Sequence, residues 1–180
     1  GFAVVELASA LEQLAPDVVL IVGDRYEILS AAVAASIGNI PVAHIQGGEI
    51  SGTIDETIRH AVTKLSHVHF PSTELSKDRI LSMGEDPSHV FNVGCPAVDY
   101  INDIAYCDKS ELSSLKGLGR TKLSNEEGYF LVIQHPVTTE FDKAGDQMTV
   151  TLEALQVVGV QTLLIYPNPD AGSASMVRSI

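Results

Sequence analysis

Apolar residues recur at Val4, Leu7, Leu11 and Leu14 with the three-to-four-residue spacing of a helix face. Ala15-Pro16-Asp17 breaks that pattern, and Val18-Val19-Leu20-Ile21-Val22 follows as a short continuous apolar run, the signature of a strand covered on both faces. Gly23-Asp24-Arg25 ends the run. The Ala-rich stretch from Tyr26 to Ile37 has the composition and length of a buried helix and is closed by Gly38-Asn39. The cycle then repeats: a strand from Pro41 to Ile45, a turn at Gly47-Gly48, a helix from Ile54 to Leu65 and a strand from His67 to Pro71. Ser72 or Thr73 can cap a helix running to about Met83. Val90 to Val93 has strand character, and Pro96 sits where a first-turn proline belongs before a helix through Ile104. Strict alternation of strands and helices predicts an α/β fold with a parallel sheet and right-handed crossovers.

The stretch from about Cys107 to Glu127 breaks the rhythm. It is rich in Ser, Lys, Gly and Glu and lacks a sustained strand pattern. Such composition predicts a connection between domains, or alternatively a long surface loop. Tyr129 to Ile133 then reads as a strand, Gln147 to Val158 as a helix and Thr162 to Tyr166 as a strand, so a second alternating unit begins. The expected organisation is one Rossmann-like domain over 1–106, a connection over 107–127 and the start of a second such domain over 128–180. The chain enters its first helical stripe directly and stops inside another at Ser175 to Ile180, which reads as an internal fragment of a longer enzyme, the alternative being a complete small domain with frayed ends.

Charge narrows the choice of ligand. Eleven Lys and Arg against 23 Asp and Glu leave a formal net charge of -12, so a nucleic-acid backbone or an anionic membrane surface would be repelled over most of the surface. No stretch is apolar for long enough to span a bilayer, and the start lacks the order of a signal peptide. Two cysteines, Cys95 and Cys107, are too few for a disulfide framework and read as reduced cytosolic thiols, which places the protein in the cytoplasm. A small soluble substrate is the expected partner.

In an open parallel sheet, ligands bind beyond the carboxyl ends of the strands. The unusual polar residues of this chain fall there. Asp24 and Arg25 end the first strand, Gln46 and Glu49 follow the second, His135 follows the first strand of the later unit, and Asn168 and Asp170 follow its second. A carboxylate such as Asp24 can accept a substrate hydroxyl or a proton; it can equally be a turn residue paired with Arg25. Gly47, Gly48 and Gly52 would let backbone approach a ligand, and the helix that follows offers free N–H groups to a phosphate or a sugar acid. Thr53 and Glu56 have capping-box spacing, and Asp55 with Arg59 is an i, i+4 pair. Capping accounts for Glu56 but not for a second carboxylate beside it at Asp55. His135, held extended by Pro136, can exchange a proton near neutral pH, or be a solvent-exposed loop residue. His67 and His69 alternate as in some zinc sites, but no further ligand has recognisable spacing, so no metal is expected. Cys95 lacks an activating base and reads as buried packing.

Collectively these segments have a familiar order. Gly23-Asp24-Arg25, His44-Ile45-Gln46-Gly47-Gly48-Glu49, Ser51-Gly52-Thr53-Ile54-Asp55-Glu56, Ile58-Arg59-His60-Ala61, Lys64-Leu65-Ser66-His67, Gly94-Cys95-Pro96, Gln134-His135-Pro136-Val137-Thr138-Thr139 and Pro167-Asn168-Pro169-Asp170-Ala171-Gly172-Ser173 resemble the hydrolysing UDP-N-acetylglucosamine 2-epimerases of sialic acid biosynthesis. The resemblance covers nearly the whole chain. It implies a glycosyltransferase-B-like fold of two Rossmann-like halves with substrate in the cleft between them, a homo-oligomeric full-length parent, and a reaction without a cofactor. That reaction converts UDP-N-acetylglucosamine to UDP and N-acetylmannosamine through a 2-acetamidoglucal. By motif position, the resemblance implies Asp24, Asp55 and His135 as catalytic groups, with Arg25, Gln46, Gly47, Gly48, Glu49, Glu56, Arg59, Asn168 and Asp170 binding the substrate. One departure stands out: Gln46 occupies a position where many relatives carry Glu, and an amide cannot move a proton at ordinary pH. Glu49 or Asp55 then takes that role, or the substrate is the UDP-N,N'-diacetylbacillosamine used by similar enzymes, or the chain is a UDP-sugar-binding module without turnover.

Overall fold

The computed structural model describes residues 1–104 and 128–180, which fall into two units divided after Ile104. The expected connection over 107–127, with Cys107, lies outside the described residues.

In the first unit, helix α1 (Phe2–Leu14) precedes strand β1 (Val19–Val22), helix α2 (Tyr26–Ile37), strand β2 (Val42–Ile45), helix α3 (Ile54–Leu65), strand β3 (Val68–Phe70), helix α4 (Glu74–Ser82) and helix α5 (Pro96–Asp103). Strands β1, β2 and β3 lie side by side in that order, and both pairings are parallel, with Val19 opposite Val42 and Ala43 opposite Val68. The alternation of strand and helix forces this result, since each crossover returns the chain to the same end of the sheet. Ile21, Ala32, Ala35, Val42 and Val62 form the core, with Leu11, Ile28, Leu29 and Ile58 packed around it. Small alanines on α2 let that helix lie close to the sheet.

Among the described residues strand β1 packs one face: Val19 and Ile21 turn into the core, and Leu20 and Val22, which alternate to the other face, are 59% and 50% exposed. The strand expected at Val90 to Val93 is reduced to a single parallel bridge between His69 and Val90. A 3-10 turn at Pro87–His89 enters it, and past the bridge the amides of Phe91 and Val93 still donate to the carbonyls of His69 and Pro71, at 2.8 and 3.3 Å, while the Asn92 side chain donates to Glu74 Oε1 at 2.7 Å.

In the second unit, strand β4 (Phe130–Ile133), a 3-10 segment (Thr138–Lys143), helix α6 (Ala144–Val158), strand β5 (Thr162–Ile165) and helix α7 (Ser173–Ser179) follow one another. β4 and β5 pair in parallel, with Phe130 opposite Thr162. Met148 of α6 and Met176 of α7 are fully buried against Ala144. α6 starts three residues before the predicted position, and Gly159, at φ 70°, closes it where the left-handed conformation is required.

Candidate active site

The carboxyl ends of β1 and β2 are tied together from below by a buried histidine. His44 on β2 has no exposed surface, and its Nε2 lies 2.8 Å from the carbonyl of Gly23, just past β1. A carbonyl only accepts, so Nε2 carries the proton, and Nδ1 accepts from the Thr63 hydroxyl of α3 at 3.2 Å. Burial pushes the His44 pKa down to about 4, opposed in part by the bond to Gly23. Gly47 sits directly on this pair: a Cβ there would come within 2.9 Å of Thr63 Oγ1 and 3.0 Å of His44 Nδ1.

That depression has a sign for stability. Below pH 6.5 an unfolded imidazole takes up a proton that folded His44 refuses until about pH 4, so the native state loses ground as the pH falls through that window. The loss amounts to about 3 kcal/mol at the acid end. Buried His69, also lowered by desolvation and opposed by Glu85, adds in the same direction. The urea midpoint is expected to drop between pH 7 and about pH 4.5 and to drop less in His44→Gln, whose amide can still donate to Gly23. A wild-type midpoint that stays level over that range would contradict the assignment.

Above this base, the loop after β2 is held by arginines. Arg59 of α3, only 6% exposed, donates Nη2 to Asp24 Oδ2 and Nη1 to the Glu49 carbonyl at 2.6 Å. The i, i+4 pairing expected between Arg59 and Asp55 is therefore replaced by a tertiary one. An i, i+4 pair on a helix surface is worth only about 0.2–0.5 kcal/mol, whereas a half-buried charged hydrogen bond at a strand end is worth more. The alternative partner for Asp24, its neighbour Arg25, instead approaches Glu27 at 3.6 Å and lies over the Tyr26 ring.

The capping-box expectation at Thr53 and Glu56 also changes. Thr53 is the N-cap of α3 by backbone geometry, but its hydroxyl meets Asp55 Oδ2 at 3.3 Å rather than an amide. Glu56 Oε2 reaches past it to the amides of Gly52, at 2.7 Å, and Ser51, at 2.9 Å. Those amides, Gly52 foremost, hold the Glu56 carboxyl below its ordinary pKa. Glu56 thus shapes the loop, while the Asp55 carboxylate beside it receives a single hydroxyl.

Gly47 and Gly48 are spoken for by packing, whereas Gly52, at φ 70°, is exposed with open space around it. Gly48, at φ 79°, would place a Cβ 2.2 Å from the Ser76 carbonyl of α4, and both Gly47 and Gly48 are buried. Gln46 has the left-handed backbone at φ 65°, unusual for a side chain of this size, and its Nε2 lies 3.4 Å from Cys95 Sγ. Cys95 is half-buried at the start of α5 rather than in the core, and the amides of Val98 and Ala97 draw its thiol pKa down.

In the second unit, His135 after β4 and Asn168 after β5 meet: the Asn168 amide donates to His135 Nδ1 at 3.1 Å. A neutral imidazole so held keeps its proton on Nε2, which faces away from that bond. Asp170 continues the same turn, its amide 2.8 Å from the Asn168 carbonyl and its carbonyl accepting from Ser173. His44, Thr63 and Cys95 went without a site role in the sequence reading. The signal for His44 was its place inside an otherwise apolar buried strand, where both ring nitrogens must find partners. Among the described residues, no three His, Cys, Asp or Glu side chains are arranged to hold a metal ion.

The model of the UDP-N-acetylglucosamine 2-epimerase family matches residues 1–180. The chain belongs to that family. It is 40% identical over its whole length to a Legionella pneumophila protein described as UDP-N,N'-diacetylbacillosamine 2-epimerase (hydrolyzing), of which it covers 46%. It is 34% identical, over 94% of its length, to a UDP-N-acetylglucosamine 2-epimerase of Neisseria meningitidis, of which it covers 43%. The chain thus spans about half the length of the curated relatives it matches. A crystal structure of the Neisseria meningitidis UDP-GlcNAc 2-epimerase bound to UDP-GlcNAc superposes with a TM-score of 0.74 at 20% identity, covering 99% of this chain and 50% of that one. A Methanocaldococcus jannaschii epimerase in complex with UDP-GlcNAc and UDP gives 0.73 at 21% identity, covering 98% and 48%. The α/β, Rossmann-like, glycosyltransferase-B-like fold expected from the sequence is the fold these proteins share.

Proposed function

We propose that the full-length protein is a hydrolysing UDP-N-acetylglucosamine 2-epimerase, releasing UDP and N-acetylmannosamine through a 2-acetamidoglucal. The observation that carries this reading is the Arg59 bridge, which holds the Asp24 carboxylate and the Glu49 loop together at the carboxyl edge of β1 and β2. The chemistry needs a base that takes the proton from C2, a proton donor for the departing diphosphate, and a second proton donor on the other face that returns a proton to C2 as the water oxygen bonds to C1. In this reading Asp24 and Asp55 serve the sugar. His135, with its proton on Nε2, protonates the diphosphate oxygen as the C1–O bond breaks. Gln46 hydrogen-bonds the sugar, and the proton role open at its position passes to Glu49 or Asp55. Arg25, Asn168 and Asp170 complete the binding of the nucleotide sugar, and the backbone of Gly47 and Gly48, with Glu56, shapes the loop.

A second substrate is favoured by the 40% identity to the Legionella protein: UDP-N,N'-diacetylbacillosamine, which undergoes the same bond changes at C1 and C2. UDP release by the full-length protein, measured with each sugar nucleotide, separates the two. Release from neither ends the proposal. Incorporation of solvent deuterium at C2 of the product excludes a module that only binds. We further propose that the protein works in the cytoplasm; no helix among the described residues is long and apolar enough to cross a membrane.

A further inference from the structure

The loop from Gln46 to Glu49 presents two of the groups assigned to the sugar, yet it lies beyond the end of β2 and its backbone departs from extended geometry at Gln46 and Gly48. Something must hold it. Two consecutive carbonyls are gripped from two different helices. Arg59 of α3 takes the Glu49 carbonyl, and Arg79 of α4 takes the Gly48 carbonyl with Nη1 at 3.1 Å. Gly48 also packs closely on α4: a Cβ there would come 2.2 Å from the Ser76 carbonyl and 3.0 Å from Ile80, and Ser76 and Ile80 are both buried. Arg79 lies between these two positions in sequence, so the helix that supports the loop by packing also supplies its donor.

The two grips differ in reach. Arg59 also engages Asp24, so its loss disturbs the ends of both β1 and β2. The bond from Arg79 goes to the β2 loop. We propose that Arg79 is a positioning residue, fixing the carbonyl between Gln46 and Glu49 so that those side chains meet the sugar in one geometry. This rests on the epimerase reading above. Placing reacting groups within a fraction of an ångström governs turnover more than ground-state binding, so the effect belongs in kcat.

The test compares full-length variants by UDP release and by thermal unfolding. Arg79→Met keeps the stem and removes the donor; its kcat is expected to fall about 10- to 100-fold, the usual worth of one charged hydrogen bond, with KM changing less than about threefold. Arg79→Lys, which restores one donor, should recover most of that loss. On a Glu49→Gln background, Arg79→Met should cost much less, because the group it positions is already impaired. Equal loss in Met and Lys variants, or an undiminished loss in the double variant, would overturn the assignment by pointing to packing instead. Full turnover in Arg79→Met with impaired Glu49→Gln overturns Arg79 and leaves the epimerase reading standing. Full turnover in Glu49→Gln and Asp24→Asn alike removes the reading itself.

Discussion

Asp24→Asn in the full-length protein is expected to lower turnover at least about a hundredfold, within the usual range for a group that moves a proton or fixes a reacting hydroxyl. The substitution is nearly isosteric and leaves an oxygen for Arg59, so the backbone of Gly23 and the His44 bond beneath it should persist. What changes is charge: the Arg59 guanidinium, 6% exposed, then faces a neutral amide. Removing one partner of a buried pair also destabilises, so unfolding must be followed alongside rate. The prediction is a folded protein with a lowered melting temperature and a rate loss far larger than the folded fraction explains. Near-normal UDP release would place the chemistry away from the β1 edge.

His135→Ala should cost as much, for a different reason. The Asn168 amide holds Nδ1 as an acceptor, which leaves Nε2–H as the donor available to a departing diphosphate. Two further variants divide the effect. His135→Asn can retain an acceptor near the Nδ1 position but has no proton at Nε2, whereas His135→Gln can reach the Nε2 position but gives up the Nδ1 contact. Both are expected to remain at least about a hundredfold slow if donation is the function. Recovery in His135→Asn would mean that the histidine only braces the Asn168 turn.

The boundaries of α2 and α3 were legible in the sequence because local signals and packing agree there: the alanine-rich stretch begins and ends between turn residues, and α3 has apolar and charged residues on separate faces. The strand-end position of Asp24, Gln46 and His135 was legible for the same reason. Partner choice was not. Asp55 and Arg59 have ideal helical spacing, yet a carboxylate at the end of another strand outcompetes it, and that strand's position is a property of the sheet rather than of α3. Glu56 passes over the N-cap to two earlier amides because the loop folds back over α3, a path that spacing does not encode. The two glycines after Gln46 suggested room for a ligand; the space is taken by Thr63, His44 and the backbone of α4. His44 needed the burial of β2 to be noticed.

That last contact limits what laboratory evolution can do with this loop. A library that randomises Gly47 or Gly48 to retune sugar preference will mostly return clones that fail to fold, since any methyl group there strikes a main-chain oxygen or the histidine and threonine beneath. Diversity is better spent on Ile50 and Ser51, and at Gln46 on the few residue types that tolerate a left-handed turn.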